Sequence, residues 1–340
     1  MGQLETNKIK FDFNDILLTP KVLSDIDSRS EVNPKNLDGF YPIITAPMDM
    51  VVSPTNMDSY LVNNIYVATP RNEVHNHPNA FISVSLTEII DLFDEDKLNP
   101  TGKYLIDIAN GHMSKLYYAI QIIKKDYPKL ILMVGNIANP ETYRELSDAG
   151  ADAIRISIGS GGSCTTGANG GIGYAVGSLI RECYEISCTL DNPALIVADG
   201  GMQGFSDIIK ALALGADVVM IGGLFNKCIE SSGDNYLYGR IKISQKLAEF
   251  CFLRNIPIYK KMRGMSTKEV QRKWGSNNVK TSEGITRKNL VEYSISQWVE
   301  NFDHYLRTAM SYTGCRTLEE FKGKVDFTLI SQNAFKRYNK

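Results

Sequence analysis

The chain has 340 residues, with 37 Lys and Arg against 38 Asp and Glu and a formal net charge of −1. Hydrophobic residues make up 43% and charged residues 22%, a globular balance that excludes a wholly disordered chain. The near-zero charge argues against a nucleic-acid binder, which carries a basic excess, and no apolar run approaches the roughly 20 residues needed to cross a bilayer.

The first ten residues are polar and lack the apolar stretch of a secretory leader. Beyond them, short β-type runs recur, each followed by helical spacing. Strands are expected at Pro42–Ala46, Ile65–Thr69, Phe81–Leu86, Lys103–Ala109, Lys129–Gly135, Ala153–Ile158, Ala194–Asp199 and Asp217–Ile221. Several are nearly continuous in Ile, Val and Leu, as suits strands buried on both faces of a parallel sheet. A helix is predicted from Pro140 to Ala149, with Pro in its first turn and Gly150 as its stop, and another from Phe205 to Leu214, stopped by Gly215. Each is followed by the same echo, Gly-Ala-Asp and then a strand, at 150–152 and 215–217. Eight strands with seven intervening helical segments predict an α/β (β/α)8 TIM barrel, forming a single domain over 1–340. On periodicity alone an open doubly wound sheet remains the competitor.

Residues 233–293 break the pattern. They are polar, Lys-rich and punctuated by glycines. An insertion after the last strand would lie at the end of a barrel where loops carry function. A closing helix is expected at Tyr293–Leu306 and a short tail strand at Val325–Ile330. The six cysteines show no Cys-x-x-Cys spacing, which reads as a reduced, cytoplasmic chain.

The most informative stretch runs from Ile158 to Gly167, Ile-Gly-Ser-Gly-Gly-Ser-Cys-Thr-Thr-Gly. Glycines at 159, 161 and 162 permit tight turns and close approach to a ligand. Cys164, among the hydroxyls of Ser163, Thr165 and Thr166, is a candidate nucleophile once deprotonated; the residues alone equally allow a flexible loop with an inert thiol. Two glycine pairs end the last two strands, Gly200-Gly201 after Asp199, and Gly222-Gly223. Loops at these places in a barrel commonly cradle phosphate on backbone amides, and a carboxylate at Asp199 suits ribose hydroxyls; plain strand-ending turns are the alternative. Asp107-Ile-Ala-Asn-Gly111 and Gly135-Asn136 also end strands at the same mouth. The basic stretch Lys260–Lys273 is a candidate lid over an anion or a solvated face, and Glu283 at its far end is a candidate acid–base group. His75-Asn-His77 lacks a third ligand at a zinc spacing.

In order along nearly the whole chain, these stretches resemble the IMP dehydrogenase/GMP reductase family. The matching segments are Phe11-Asp-Phe-Asn-Asp-Ile-Leu-Leu-Thr-Pro20, Ala46-Pro-Met-Asp49, Asp107-Ile-Ala-Asn-Gly-His112, Gly135-Asn136, the loop with Cys164-Thr-Thr166, Asp199-Gly-Gly201, Gly222-Gly223, Gly264-Met-Ser266, Ser282-Glu-Gly284 and Ser311-Tyr-Thr-Gly314. The resemblance implies the barrel, with 233–293 as an active-site flap insertion and no nucleotide-sensing insert of the CBS type. It implies that Cys164 attacks C2 of a purine nucleotide and that the covalent intermediate exchanges hydride with a nicotinamide cofactor.

Within the family the flap is closer to the reductase. From Gly264 to Gly284 it is short and holds no Tyr, so a dehydrogenase-type Arg-Tyr pair is missing, while Thr166 and Glu283 occupy the reductase dyad positions. Ser311-Tyr-Thr-Gly314 and Arg263-Gly-Met265 read more like the dehydrogenase, while Gly167 in place of the usual Arg and Ser160 in place of the usual Pro depart from the family pattern. The implied activity is NADPH-dependent reductive deamination of GMP to IMP. The alternatives are IMP oxidation with NAD, and a non-catalytic purine-nucleotide-binding homologue. The implied substrate site comprises Ser163, Asp199, Gly200, Gly201, Gly222, Gly223, Met265, Ser266 and Gly284. Asp107, Asn110, Gly111 and Asn136 are assigned to the cofactor. Carbonyls of Gly159, Gly161 and Cys164 are assigned to a potassium ion, and a homotetramer is implied.

Overall fold

The computed structural model describes residues 9–338 apart from 74, 76, 161–165, 265–266 and 268–285, with 166 and 168 described by their backbone alone. Eight strands form a parallel sheet: β2 (Ile43–Thr45), β3 (Val67–Thr69), β4 (Ala80–Val84), β5 (Lys103–Asp107), β6 (Ile131–Ile137), β7 (Ala153–Ile156), β8 (Leu195–Asp199) and β9 (Val218–Ile221). The order is β2-β9-β8-β7-β6-β5-β4-β3, and a parallel bridge from Ile44 to Tyr66 joins its two ends. The chain is therefore a (β/α)8 barrel, not an open sheet.

Alternation along each strand sorts side chains into two cores. Ile44, Ala68, Phe81, Leu105, Met133, Ala153, Val197 and Met220 point inward and fill the barrel as one cluster. Their neighbours point outward and join the helices in a second, larger core. Burial on both faces is why the strands read as apolar runs.

The repeated Gly-Ala-Asp echo has a structural meaning. Asp152 accepts the backbone N–H of Leu132 at 2.7 Å, and Asp217 accepts that of Ile196 at 2.8 Å. Each Asp starts its strand by satisfying a donor on a neighbouring one, at the end of the barrel away from the mouth. Gly215 closes the helix Phe205–Leu214 with φ 127, a conformation that favours glycine.

Three expectations need correction. Six of the seven intervals between barrel strands hold a helix among the described residues. Among the described residues, the link from β3 to β4 has none, because Pro70, Pro78 and the two asparagines between them disfavour helix. The third strand stops at Val84, since Ser85 and Glu88 form a capping box that starts the helix Leu86–Asp94. The stretch 233–293 is not all loop. It contains β10 (Asn235–Leu237), β11 (Ile241–Ile243), a helix at Gln245–Phe252, β12 (Ile258–Arg263) and β13 (Thr286–Leu290). These strands form an antiparallel sheet in the order β11-β10-β12-β13. Ile229, Ala248, Cys251, Ile258 and Val291 give it a core of its own.

The closing helix runs Ile295–Tyr312, capped by Ser294. The tail strand β14 (Phe327–Leu329) pairs antiparallel with β1 (Ile16–Leu18) near the amino terminus. Among the described residues no helix is long and apolar enough to cross a membrane.

Candidate active site

At the carboxyl ends of four of the strands, the next inward position above the apolar layer is polar. Ser83 lies two residues beyond Phe81, Asp107 beyond Leu105, Arg155 beyond Ala153 and Asp199 beyond Val197. The period of two therefore stacks each on the filled barrel and aims it at the mouth.

Arg155 is the centre of this layer and is 6% exposed. Its Nη1 donates to Asp107 Oδ1 at 2.6 Å; its Nη2 and Nε donate to Asp199 Oδ2 at 2.7 and 3.2 Å. Burial works against the guanidinium charge, but Asp199 and Asp107 outweigh it and hold the group charged above its ordinary range. Asn136 Nδ2 donates to the same Asp199 oxygen at 2.7 Å and to the Ser157 carbonyl at 3.0 Å. Asp199 thus has one oxygen held by three donors. Arg71 Nε stands 3.7 Å from Asp107 Oδ2.

Backbone geometry closes this wall. Gly111 N donates to the Asn136 carbonyl at 2.7 Å, and a Cβ at Gly111 would stand 2.8 Å from that oxygen, so only glycine fits the approach. Asn110 turns its Oδ1 back to the His112 amide at 3.1 Å, onto its own loop. The Ser83 hydroxyl, 2% exposed, has no hydrogen-bond partner among the described residues. An unfilled hydroxyl at the end of β4, together with Asp107, Asn136 and the bare Gly111 backbone, suits a ligand rich in hydroxyls and amides such as a nicotinamide dinucleotide.

The glycine pairs form the other side of the mouth. Gly200 and Gly201 follow Asp199 with φ 90 and 86. A Cβ at Gly222 would lie 2.9 Å from Met48 Sδ, so the loop after β9 is pressed against the Ala46-Pro-Met-Asp49 segment. Gly159 lies beside Gly167, whose N would be 2.9 Å from a Cβ there. The two ends of the Cys164 loop therefore meet at the mouth. Arg263, the last residue of β12, is buried and its Nη2 donates to Asp49 at 2.5 Å. This ties the root of the flap to the barrel.

The structure thus brings together Asp107, Asn136 and Asp199, with Gly159, Gly200, Gly201, Gly222 and Gly223 around them. Gly161, Ser163, Cys164, Met265, Ser266, Glu283 and Gly284 lie outside the described residues, as does the side chain of Thr166. Sequence reasoning missed Arg155, Arg71, Ser83 and the Asp49–Arg263 pair. A charge at every-other-residue register with Ala153, inside an apolar strand, was the signal available for Arg155.

Residues 103–339 match the domain family described as IMP dehydrogenase / GMP reductase. The chain is 28% identical to a GMP reductase of Onchocerca volvulus, covering 98% of this chain and 94% of that protein. It is 29% identical to a GMP reductase of Caenorhabditis elegans, covering 98% and 95%. It is 33% identical to an inosine-5'-monophosphate dehydrogenase of Chlorobaculum tepidum, over 66% of this chain and 44% of that protein. The polar mouth of this barrel and these matches lead to one conclusion: the chain is an enzyme of the IMP dehydrogenase/GMP reductase family.

Proposed function

We propose that this purine-nucleotide oxidoreductase carries out reductive deamination of GMP to IMP and ammonia with NADPH. The observation that carries the choice is the extent of similarity. GMP reductases align over 98% of the chain, whereas the dehydrogenase aligns over 66%.

In this reading Asp199 holds the ribose through the oxygen that Arg155 and Asn136 leave open. Amides of Gly200, Gly201, Gly222 and Gly223 hold the 5′-phosphate, and Ser163, Met265, Ser266 and Gly284 complete the nucleotide site. Asp107, Asn110, Gly111 and Asn136 line the cofactor end, where a bound nicotinamide cofactor supplies hydride for C2 of the purine. The Cys164 thiolate bonds to C2. Thr166 and Glu283 carry a proton to the 2-amino group, which leaves as ammonia. Once C2 carries hydrogen, its bond to sulfur breaks and IMP and the thiolate are released. Carbonyls of Gly159, Gly161 and Cys164 are assigned a potassium ion. The working form is assigned as a cytoplasmic homotetramer.

Dehydrogenation of IMP is the second reading, favoured by Ser311-Tyr-Thr-Gly314 and Arg263-Gly-Met265. The test is nicotinamide absorbance with purified protein, given GMP plus NADPH and then IMP plus NAD, each with and without potassium. Oxidation of NADPH only in the presence of GMP is expected. NAD reduction with IMP in its place would transfer the assignment to the dehydrogenase, and silence in both would remove the catalytic reading.

A further inference from the structure

The insertion sheet sends one cation back over the glycine end of the mouth. On β13, Asn289 Nδ2 donates to Asn226 Oδ1 at 2.8 Å, so this face of the strand looks at the segment Gly223–Asn226. Arg287 lies two residues earlier and shares that face by the strand period. Its register partner is Met262 on β12. Lys288, on the opposite face, reaches away, with Nζ on the Gly239 carbonyl at 2.8 Å and over the Tyr236 ring at 3.7 Å. Arg287 Nη2 ends 3.7 Å from the place a Cβ would take on Gly223. Arg287 is exposed, and among the described residues no hydrogen bond or ion pair engages its guanidinium. Every other Arg described at the mouth (Arg71, Arg155, Arg263) faces a carboxylate.

A planar fork of donors without a partner, held beside a loop that presents only amides, matches the needs of a doubly charged phosphate. We propose that Arg287 is a binding residue for the 5′-phosphate of the purine monophosphate, acting from the insertion on a cradle otherwise built by the barrel. This deepens the function proposed above and rests on it. Glycine amides alone would hold phosphate without a net charge. Arg287 makes the site favour the nucleotide over the nucleoside and makes that preference depend on ionic strength.

The experiment is calorimetric titration of wild type, Arg287→Ala and Arg287→Lys with GMP, with guanosine and with NADP+. Arg287 is exposed, so the variants are expected to keep the fold, and equal melting temperatures check this. Arg287→Ala is expected to weaken GMP binding about tenfold, the scale of one lost charge-assisted contact, with the gap narrowing as salt is raised. Guanosine and NADP+ binding stay at wild-type values, and Arg287→Lys recovers part of the loss. Unchanged GMP affinity in Arg287→Ala overturns the assignment while leaving the proposed function standing. So does equal weakening of guanosine, which marks a structural role, or a loss confined to NADP+, which moves the contact to the cofactor. Wild-type protein that binds neither GMP nor IMP removes the proposed function, and this inference with it.

Discussion

One guanidinium shared between two carboxylates decides how the mouth is built. Arg155 reaches Asp107 and Asp199 from a strand between theirs, which a single ammonium on a Lys stem could not bridge in the same way. Arg155→Met removes the cation and leaves both carboxylates facing each other with little water. Breaking such a pair typically destabilises by about 3–5 kcal/mol, so urea unfolding should register a loss of that order. Nucleotide affinity should fall with it, since Asp199 loses two of its donors. Cys164→Ala tests the other half of the site: turnover is expected to vanish while GMP still binds, because the proposed grip is on ribose and phosphate. Turnover at the wild-type rate would end the covalent mechanism. Carboxylates and glycines at strand ends were legible because turn chemistry and position agree there. Arg155 was not, because a charge inside an apolar strand looks like an interruption until the alternation is applied to it.

The same alternation explains what was misjudged in the insertion. Lys260, Lys261 and Arg263 read as part of a basic lid or a solvated face, yet Ile258, Lys260 and Met262 are all buried on one face of β12. Two of the four insertion strands are only three residues long, and in β12 the pair Lys260-Lys261 hides the alternation, so the pattern does not announce itself. Lys260 is 0% exposed, and its Nζ donates to the Ser231 carbonyl and to Gln245 Oε1. Burial pulls its ammonium down to about 8, although Glu230, Cys228, Glu249 and Asp234 all act to raise it. The folded state therefore releases this proton more readily than the unfolded chain. Between pH 8 and the ordinary Lys value of 10.5 the unfolded state binds more protons, so stability gains from rising pH in that window. Measured against Lys260→Met, the wild type should gain about 3 kcal/mol across it, at roughly 1.4 kcal/mol per unit. Paired urea titrations at pH 7.5 and above pH 10 check this, and a constant difference between the two proteins would contradict it.

At the scale of the molecule, the two chain ends brace the catalytic face from behind. The Phe11 amide donates to Ser178 Oγ at 2.8 Å, and the Ser178 amide donates to the Phe11 carbonyl at 3.0 Å. Phe11 sits so close to Gly177 that a Cβ there would meet its ring and carbonyl at 3.0 Å. The buried Lys210 Nζ donates to the Phe13 carbonyl at 2.8 Å. The segment that opens the family resemblance thus pins the helices Val176–Ser187 and Phe205–Leu214, which follow the loops carrying Cys164 and Gly200-Gly201. The tail holds that segment in turn, through the β1–β14 pairing and the Phe11–Phe327 ring contact at 5.2 Å. Periodicity suggested a tail strand but could not give its partner, because a pairing across some 300 residues leaves no local pattern. Deleting residues 326–340 should leave the barrel strands intact and free the brace. Amide hydrogen exchange is expected to quicken at 11–18 and at the first turns of both helices, while β5 to β8 stay protected. Turnover should drop severalfold as the two loops lose their fixed spacing. Unaltered exchange at 176–180 in the shortened protein would mean that the helices keep their places without the tail, and the brace would be only a surface pairing.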